Sequence, residues 1–338
     1  MKVLVAGGAG FIGSHTIVEL IDAGYEVVCV DNYSNSSPIV LEEVAKITGK
    51  KVKAYKQDLR DKEKTLEIFK KEKVDAVIHF AGFKGVGESV TIPVEYYDNN
   101  INSMISVIQA MKATNVRNLV FSSSATVYGS PKSVPIDETF ETGGTTNPYG
   151  TTKLFIERIL MDLCDIDKNF NVALLRYFNP IGAHKSGLIG EVPNGTPNNL
   201  VPYISQVAVG MRDKLFVYGD DYKTHDGTGV RDYIHVVDLA KGHIKAIEKL
   251  KSNCGLVIYN LGTGNGYSVF DVIHAYEKAC GFTIPYEVCA RRAGDIAECY
   301  SNPEKAAKEL GWKAELGIDE MCADSYLFQR NHPDGYKE

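Results

Sequence analysis

Tyr149 and Lys153 stand four residues apart in the run Tyr149-Gly150-Thr151-Thr152-Lys153. On a helix that spacing puts a phenol and an ammonium on one face, one turn from each other. Two unit charges about 4 Å apart attract by roughly 4 kcal/mol at an effective dielectric near 20, and one pKa unit is worth about 1.4 kcal/mol. A lysine so placed brings a phenol of pKa near 10 down by as much as ~3 units, toward neutrality, and makes a base of tyrosine. The pair alone is also what a surface helix turn with a snorkelling lysine carries. Its meaning therefore depends on what the chain sets around it.

The N-terminus supplies a second chemical element. Lys2 to Ala6 reads as a short buried strand, followed at once by Gly7, Gly10 and Gly13 spaced three apart and by a helix with Ile12, Thr16, Ile17, Leu20 and Ile21 on one side. Missing β-carbons let the backbone turn tightly and approach a pyrophosphate, which then sits at the positive end of the helix. The next strand, Glu26 to Val30, ends on Asp31, 18 residues past Gly13. A carboxylate there suits the 2′-hydroxyl of an adenosine ribose and repels a 2′-phosphate, and no arginine occurs between Asp31 and Arg60. The expected cofactor is NAD rather than NADP.

The elements needed to position these groups follow in alternation. Helices are expected near 38–48 and 63–71, strands near 52–56 and over 76–80, a long helix from Pro93 to about Ala113, and a strand over 118–124 that turns polar at Ser122-Ser123-Ser124. A helix opening at Pro148 carries Tyr149 and Lys153, and a strand over 172–177 closes a six- or seven-stranded sheet. Repeated βα units of this size predict an α/β fold with a doubly wound parallel Rossmann sheet and ligands at the strand C-termini. Asp58, Phe80, Ala81, Gly82, Lys84 and Ser124 all fall at such ends. From Asn179 to Pro202 glycine, proline and asparagine are dense, as in functional loops. Beyond it a helix near 200–210, a strand over 214–218 and the run Arg231 to His235 lead to a helix near 238–250 and a strand over 258–261. The division expected is an NAD-binding domain over 1–178, to which 236–262 returns, and a smaller α/β substrate lobe over 179–235 and 263–338.

Composition narrows the class. The 338 residues are 44% apolar and 24% charged with a net charge of −6, the pattern of a globular chain of about two domains. No basic run with interleaved aromatics points to nucleic acid. Seven scattered cysteines without a Cys-x-x-Cys imply neither a disulfide framework nor a zinc knuckle. Such cysteine usage fits a reducing cytosol, so a cytoplasmic protein is expected; the apolar run Val3 to Ala6 is too short for a signal peptide's apolar core, and no stretch approaches a membrane span. The eight histidines include no pair at metal-ligand spacing, and no metal is expected.

Taken together, Gly7-x-x-Gly10-x-x-Gly13, Asp31, the run Ser122 to Gly129, Tyr149-x-x-x-Lys153, Arg176 to Asn179 and Arg231 to His235 resemble the extended short-chain dehydrogenase/reductase superfamily. Within it the likeness is to the UDP-hexose 4-epimerases, and it spans essentially the whole chain, with phrases such as His79-Phe80-Ala81-Gly82 and Tyr96 to Asn100. The resemblance implies interconversion of UDP-galactose and UDP-glucose on tightly held NAD, as part of galactose metabolism. Tyr149 would act as base on the sugar 4-hydroxyl, Ser124 would hydrogen-bond the same oxygen, and Lys153 would reach the nicotinamide ribose and keep Tyr149 ionised. On the cofactor side it implies Gly7, Gly10, Phe11, Ile12, Gly13, Asp31, Asn32, Asn35, Ser36, Asp58, Leu59, Phe80, Ala81, Gly82, Lys84, Asn99 and Phe178. On the substrate side, Arg231 and Arg292 would hold the pyrophosphate, Asn179 would approach it, Asn199 and Leu200 would contact the nucleotide, Phe216 and Tyr218 the uracil, and Asp295 the uridine ribose. Cys299 falls where many bacterial relatives carry a tyrosine beside the hexose, which implies room for N-acetylated UDP-hexoses. A homodimer through the helices near 93–113 and 149–164 is implied as well.

Three alternatives bear on that reading. A nucleotide-sugar 4,6-dehydratase would carry Asp-Glu after the active-site serine, where this chain has Ala125-Thr126. A UDP-glucuronate decarboxylase or epimerase keeps the same cofactor and differs in the sugar. A non-catalytic NAD sensor needs the glycine turn but not Ser124, Tyr149 and Lys153 together.

Overall fold

The computed structural model describes residues 1–292 and 295–336. In chain order the first half runs β1 (Lys2–Ala6), α1 (Phe11–Asp22), β2 (Glu26–Asp31), α2 (Ile39–Thr48), β3 (Lys53–Lys56), α3 (Lys62–Glu72), β4 (Ala76–His79), α4 (Val86–Thr91), α5 (Pro93–Thr114), β5 (Asn118–Ser124), a 3₁₀ turn (Ala125–Tyr128), α6 (Pro148–Ile166) and β6 (Asn171–Tyr177). The remainder runs β7 (Asn179–Ile181), α7 (Leu200–Ala208), β8 (Leu215–Tyr218), β9 (Val230–Arg231), β10 (Tyr233–His235), α8 (Val236–Leu250), β11 (Leu256–Leu261), β12 (Tyr267–Ser268), α9 (Val269–Cys280), β13 (Tyr286–Cys289), β14 (Glu298–Cys299), α10 (Glu304–Leu310) and α11 (Ile318–Asn331).

Seven strands form one parallel sheet in the order β11-β6-β5-β4-β1-β2-β3, the doubly wound α/β architecture expected from the alternation. Alternate strand residues serve opposite faces, as the period of two requires. Val3 and Val5 pack with α1, α2 and α8, whereas Leu4 and Ala6 pack with α3, α5 and α6. Both faces are thus covered, which is why the strands are nearly continuous in apolar residues. The strand order reverses between β1 and β4, and the glycine turn after β1 and the loop after β4 meet at that point.

A third core gathers α7, β8, β10, α9 and α11 around Ile204, Val217, Tyr276 and Met321. Its strands pair over long separations: β7 with β10, β8 with β13, and β9 between β12 and β14. Asp232 ties this region together. Its buried carboxylate accepts from Thr263 N at 2.8 Å, Thr263 Oγ1 at 2.7 Å, Gly264 N at 3.1 Å, Ser301 N at 3.1 Å and Ser301 Oγ at 2.5 Å. Five donors satisfy a charge that would otherwise be costly to bury.

Candidate active site

The glycine turn is shaped by contact. Gly7 has φ +75°, and a Cβ there would lie 2.7 Å from Ala81 N. A Cβ on Gly13 would lie 2.3 Å from Gly7 O, so that position admits no side chain. Gly10 caps α1 with no side-chain hydrogen bond, leaving the first helical N–H groups free to bind a ligand. Asp31, at the end of β2, accepts from Ala9 N at 3.0 Å, Tyr33 N at 2.9 Å and Ser36 Oγ at 2.9 Å, which fixes the carboxylate beside the turn. Asn32 accepts from Ser34 N, and Asn35 is exposed next to it. This cradle fits a dinucleotide: open backbone donors at a helix start, a carboxylate at the next strand end, and no room for side chains between.

The loops after the neighbouring strands complete the groove. Asp58 is held by Arg60, whose guanidinium keeps its carboxyl below the usual carboxylate range, and Leu59 beside it is buried. Phe80, directly after β4, lies tilted against His243 with ring centres 4.8 Å apart. Lys84 lies 5.9 Å from the centre of the Phe11 ring and pairs with Glu191 at 2.5 Å. Asn99 donates to Asn100, whose amide holds the Phe83 backbone and the Thr152 hydroxyl, linking this loop to α6.

Ser124 ends β5, where its hydroxyl accepts from Thr126 N at 3.2 Å and so starts the 3₁₀ turn. Asn147 caps α6 through Gly150 N at 2.8 Å, with Pro148 in the first turn, and this entry fixes where Tyr149 points. Lys153, buried one turn on, donates to Ser122 O at 2.6 Å, and its Nζ lies 5.8 Å from the centre of the Tyr149 ring. Burial lowers the Lys153 ammonium to about 8, with Glu157 opposing that shift. The Tyr149 phenol is pushed up by burial, with the Ser124 hydroxyl pulling the other way. The expectation of a phenol lowered by Lys153 is therefore not met by the protein alone. The ammonium is directed to the Ser122 carbonyl rather than to the phenol, and desolvation of the ring dominates.

Of the residues expected on the substrate side, Arg231, Arg292, Asp295 and Tyr218 come together. Arg231 and Arg292 both reach Asp295, at 3.9 Å and 3.0 Å, and the Arg292 guanidinium stands 5.0 Å from the centre of the Tyr218 ring. Phe216 is half-buried on the same strand as Tyr218, and β8 pairs with β13 just before Arg291. Cys299 pairs in register with Arg231 and packs against a small core of Val127, Tyr128, Ile136 and Phe178. Burial pushes its thiol up to about 11, so it is neutral and small at neutral pH. Asn179 begins β7 opposite Tyr233, and Asn199 caps α7 ahead of Leu200 without a side-chain bond, leaving its amide unused by the helix.

Two buried features had no counterpart in the sequence reading. Glu157 and Arg176 form a bidentate salt bridge under α6, and Tyr177 is hydrogen-bonded to His243 beneath Phe80. Glu157 stands four residues after Lys153, a spacing that by itself predicts a shared helix face.

Such a site, with a dinucleotide cradle at the switch point of a doubly wound sheet and a Ser-Tyr-Lys group at its mouth, defines a class of NAD-dependent enzymes. Residues 3–262 match the NAD dependent epimerase/dehydratase family, and the chain belongs to that family. More particularly, it is 58% identical to the UDP-glucose 4-epimerase of Haemophilus influenzae (strain ATCC 51907 / DSM 11121 / KW20 / Rd), with 100% of both chains covered. It is 57% identical to the Homo sapiens UDP-glucose 4-epimerase over 99% of this chain and 98% of that one. Among solved structures it is similar to the Bifidobacterium longum UDP-glucose 4-epimerase in complex with NAD+ and UDP. That likeness has a TM-score of 0.95 at 58% identity and covers 99% of this chain and 100% of that one.

Proposed function

We propose that this chain is an NAD-dependent UDP-hexose 4-epimerase that interconverts UDP-galactose and UDP-glucose. The observation that supports the reading is the approach of Tyr149 to the Ser124 hydroxyl and of Lys153 to the Ser122 carbonyl, where α6 meets the end of β5. Bound NAD, which the glycine turn and Asp31 would hold, would supply a reversible hydride acceptor for C4 of the sugar. Tyr149 removes the proton of the 4-hydroxyl and gives it back, and Ser124 hydrogen-bonds the same oxygen. Lys153 holds the ribose and favours the phenolate electrostatically. The two arginines grip the diphosphate through their guanidinium forks, so the nucleotide is held while the hexose is free to turn. In this reading residues 1–178 with 236–262 bind NAD, and 179–235 with 263–338 bind the UDP-sugar.

Two finer statements extend the proposal. UDP-N-acetylgalactosamine and UDP-N-acetylglucosamine would be substrates too, a reading that rests on the small size of Cys299, which packs beside Phe178. The molecule also pairs with a second copy through α5 and α6. Val94 on α5 and Phe155 on α6 are 72% and 47% exposed, and Tyr97 meets Phe155 with ring centres 6.2 Å apart, an apolar face that a mate would cover. A monomeric mass by light scattering at micromolar concentration would rule the pairing out. No helix among the described residues is long and apolar enough to cross a membrane.

The test of the main reading is incubation of purified protein with UDP-galactose and no added NAD. Formation of UDP-glucose is expected, because the cofactor travels with the protein. Absence of product with and without added NAD would refute it.

A further inference from the structure

Beneath Tyr149 and Lys153 lies a charged pair that the proton and hydride chemistry does not use. Glu157 on α6 and Arg176 on β6 are 1% and 2% exposed. Arg176 donates twice to the carboxylate, from Nε to Oε1 at 3.0 Å and from Nη2 to Oε2 at 2.7 Å, and the Ser123 hydroxyl donates to the same Oε1 at 2.5 Å. The remaining arm, Nη1, donates to Tyr128 Oη at 3.0 Å. Tyr128 in turn donates to Asn260 Oδ1 at 2.7 Å, and the Asn260 amide donates to Ile136 O at 2.9 Å. Ile136 N donates to Tyr300 O at 2.9 Å, directly after Cys299. A chain of hydrogen bonds, relayed through the Ile136 backbone, therefore runs from α6 to Tyr300, next to Cys299.

Burying two charges is expensive, and apolar residues of the same volume would fill the space without that cost. What the charges do here is visible in their partners. Ser123 stands between Ser122, whose carbonyl takes the Lys153 ammonium, and Ser124, whose hydroxyl starts the 3₁₀ turn. Glu157 is one helical turn from Lys153, and Tyr128 closes the turn that Ser124 opens. Lys153 and Ser124 are thus each one step from a member of the chain, and Tyr149 reaches it through Ser124.

We propose that Glu157 and Arg176 are positioning residues that hold α6, β5 and the turn after Ser124 in one register, and that Tyr128 and Asn260 carry this constraint to the strand bearing Cys299. The inference rests on the 4-epimerase reading of the same site. Lys153 is faced by Tyr149 and Glu157 from its own helix, by the Ser122 carbonyl from β5 and by His79 from β4. Burial lowers His79 to about 3 and so keeps it neutral, which leaves the Glu157 carboxylate as the group opposing the loss of the Lys153 proton.

The experiment compares Glu157→Gln and Tyr128→Phe with the wild-type holoenzyme in kcat, KM, bound NAD and the pH profile of kcat. Glu157→Gln is expected to lose about 10²-fold in kcat, the cost of a small misplacement of reacting groups. Its KM for UDP-galactose and its bound NAD stay at wild-type values. Its alkaline limb moves to lower pH, a change that a purely structural loss would not produce. Tyr128→Phe leaves the ion pair whole and is expected to lose about tenfold in kcat, equivalent to about 1.4 kcal/mol, with the alkaline limb unmoved. A folded, NAD-loaded Glu157→Gln with wild-type kcat and wild-type pH limb would overturn the proposal. Should that variant not fold, wild-type kcat in Tyr128→Phe would overturn it instead. Failure of the wild-type protein to form UDP-glucose would refute the functional reading beneath it.

Discussion

Replacing Lys153 with methionine removes one charge and little volume, and the distance from the Tyr149 ring bounds how much that charge can offset the burial that raises the phenol. Its Nζ is 5.8 Å from the centre of the Tyr149 ring. At an effective dielectric near 20, unit charges about 6 Å apart interact by about 3 kcal/mol, which is about 2 pKa units on the phenol. At pH 7 the ionised fraction of Tyr149 therefore falls about 10²-fold, and kcat falls with it if phenolate is the base. The variant and wild type are compared by coupling UDP-glucose formation to a UDP-glucose dehydrogenase from about pH 6 to about pH 9.5, each at saturating substrate, a range that spans the Lys153 titration. In the variant, log kcat should rise with pH, because hydroxide then does what the ammonium did. In the wild type the sign is opposite at the alkaline end. Lys153 titrates at about 8 in the buried site, so its favourable charge is present below that pH and is lost above it. A Lys153→Met enzyme within about threefold of wild type at pH 7, or one whose rate ignores pH, would refute an electrostatic role for Lys153.

Tyr149→Phe should abolish turnover while leaving NAD bound, since the hydroxyl contributes to the proton step and not to the glycine cradle; retained full activity would remove Tyr149 from that step. Gly13→Ala places a methyl 2.3 Å from Gly7 O, so the purified variant should carry little or no NAD by absorbance of the heat-released cofactor. Incubation with UDP-N-acetylgalactosamine should give the gluco epimer, and tyrosine at position 299, in Cys299→Tyr, should suppress that activity while leaving UDP-galactose turnover largely intact. Equal use of both sugars by the variant would show that the space beside Cys299 does not set acceptance.

The parallel sheet was readable because its information is local. Apolar strands of four to seven residues alternate with amphipathic helices, glycines mark the first turn, Ser124 falls at a strand end, and Tyr149 and Lys153 fall in the first two turns of a helix that the pattern alone locates. The short helix α4, Val86–Thr91, was missed because Ile92 and Pro93 interrupt the periodicity and the pattern starts clearly only at Pro93. Asn179–Ile181 lies in a stretch dense in glycine and proline, and its strand exists because β10, over fifty residues later, pairs with it. The same holds for β9, only two residues long, whose neighbours β12 and β14 come from beyond β11. Such strands are created by tertiary pairing, so their propensity carries little signal. Glu157 could have been placed on the Lys153 face by spacing, yet its partner Arg176 sits on a strand, and nothing in the sequence measures that contact. The direction of the Lys153 ammonium was also hidden, because it depends on the Ser122 carbonyl at the end of a neighbouring strand.

The most direct measurement follows the hydrogen at C4. UDP-galactose deuterated at that carbon, turned over in ordinary water, should yield UDP-glucose that keeps the deuterium at C4, because the hydride leaves and returns within one closed site. Washout of the label into solvent, or its appearance at another carbon, would contradict transfer to and from a resident cofactor.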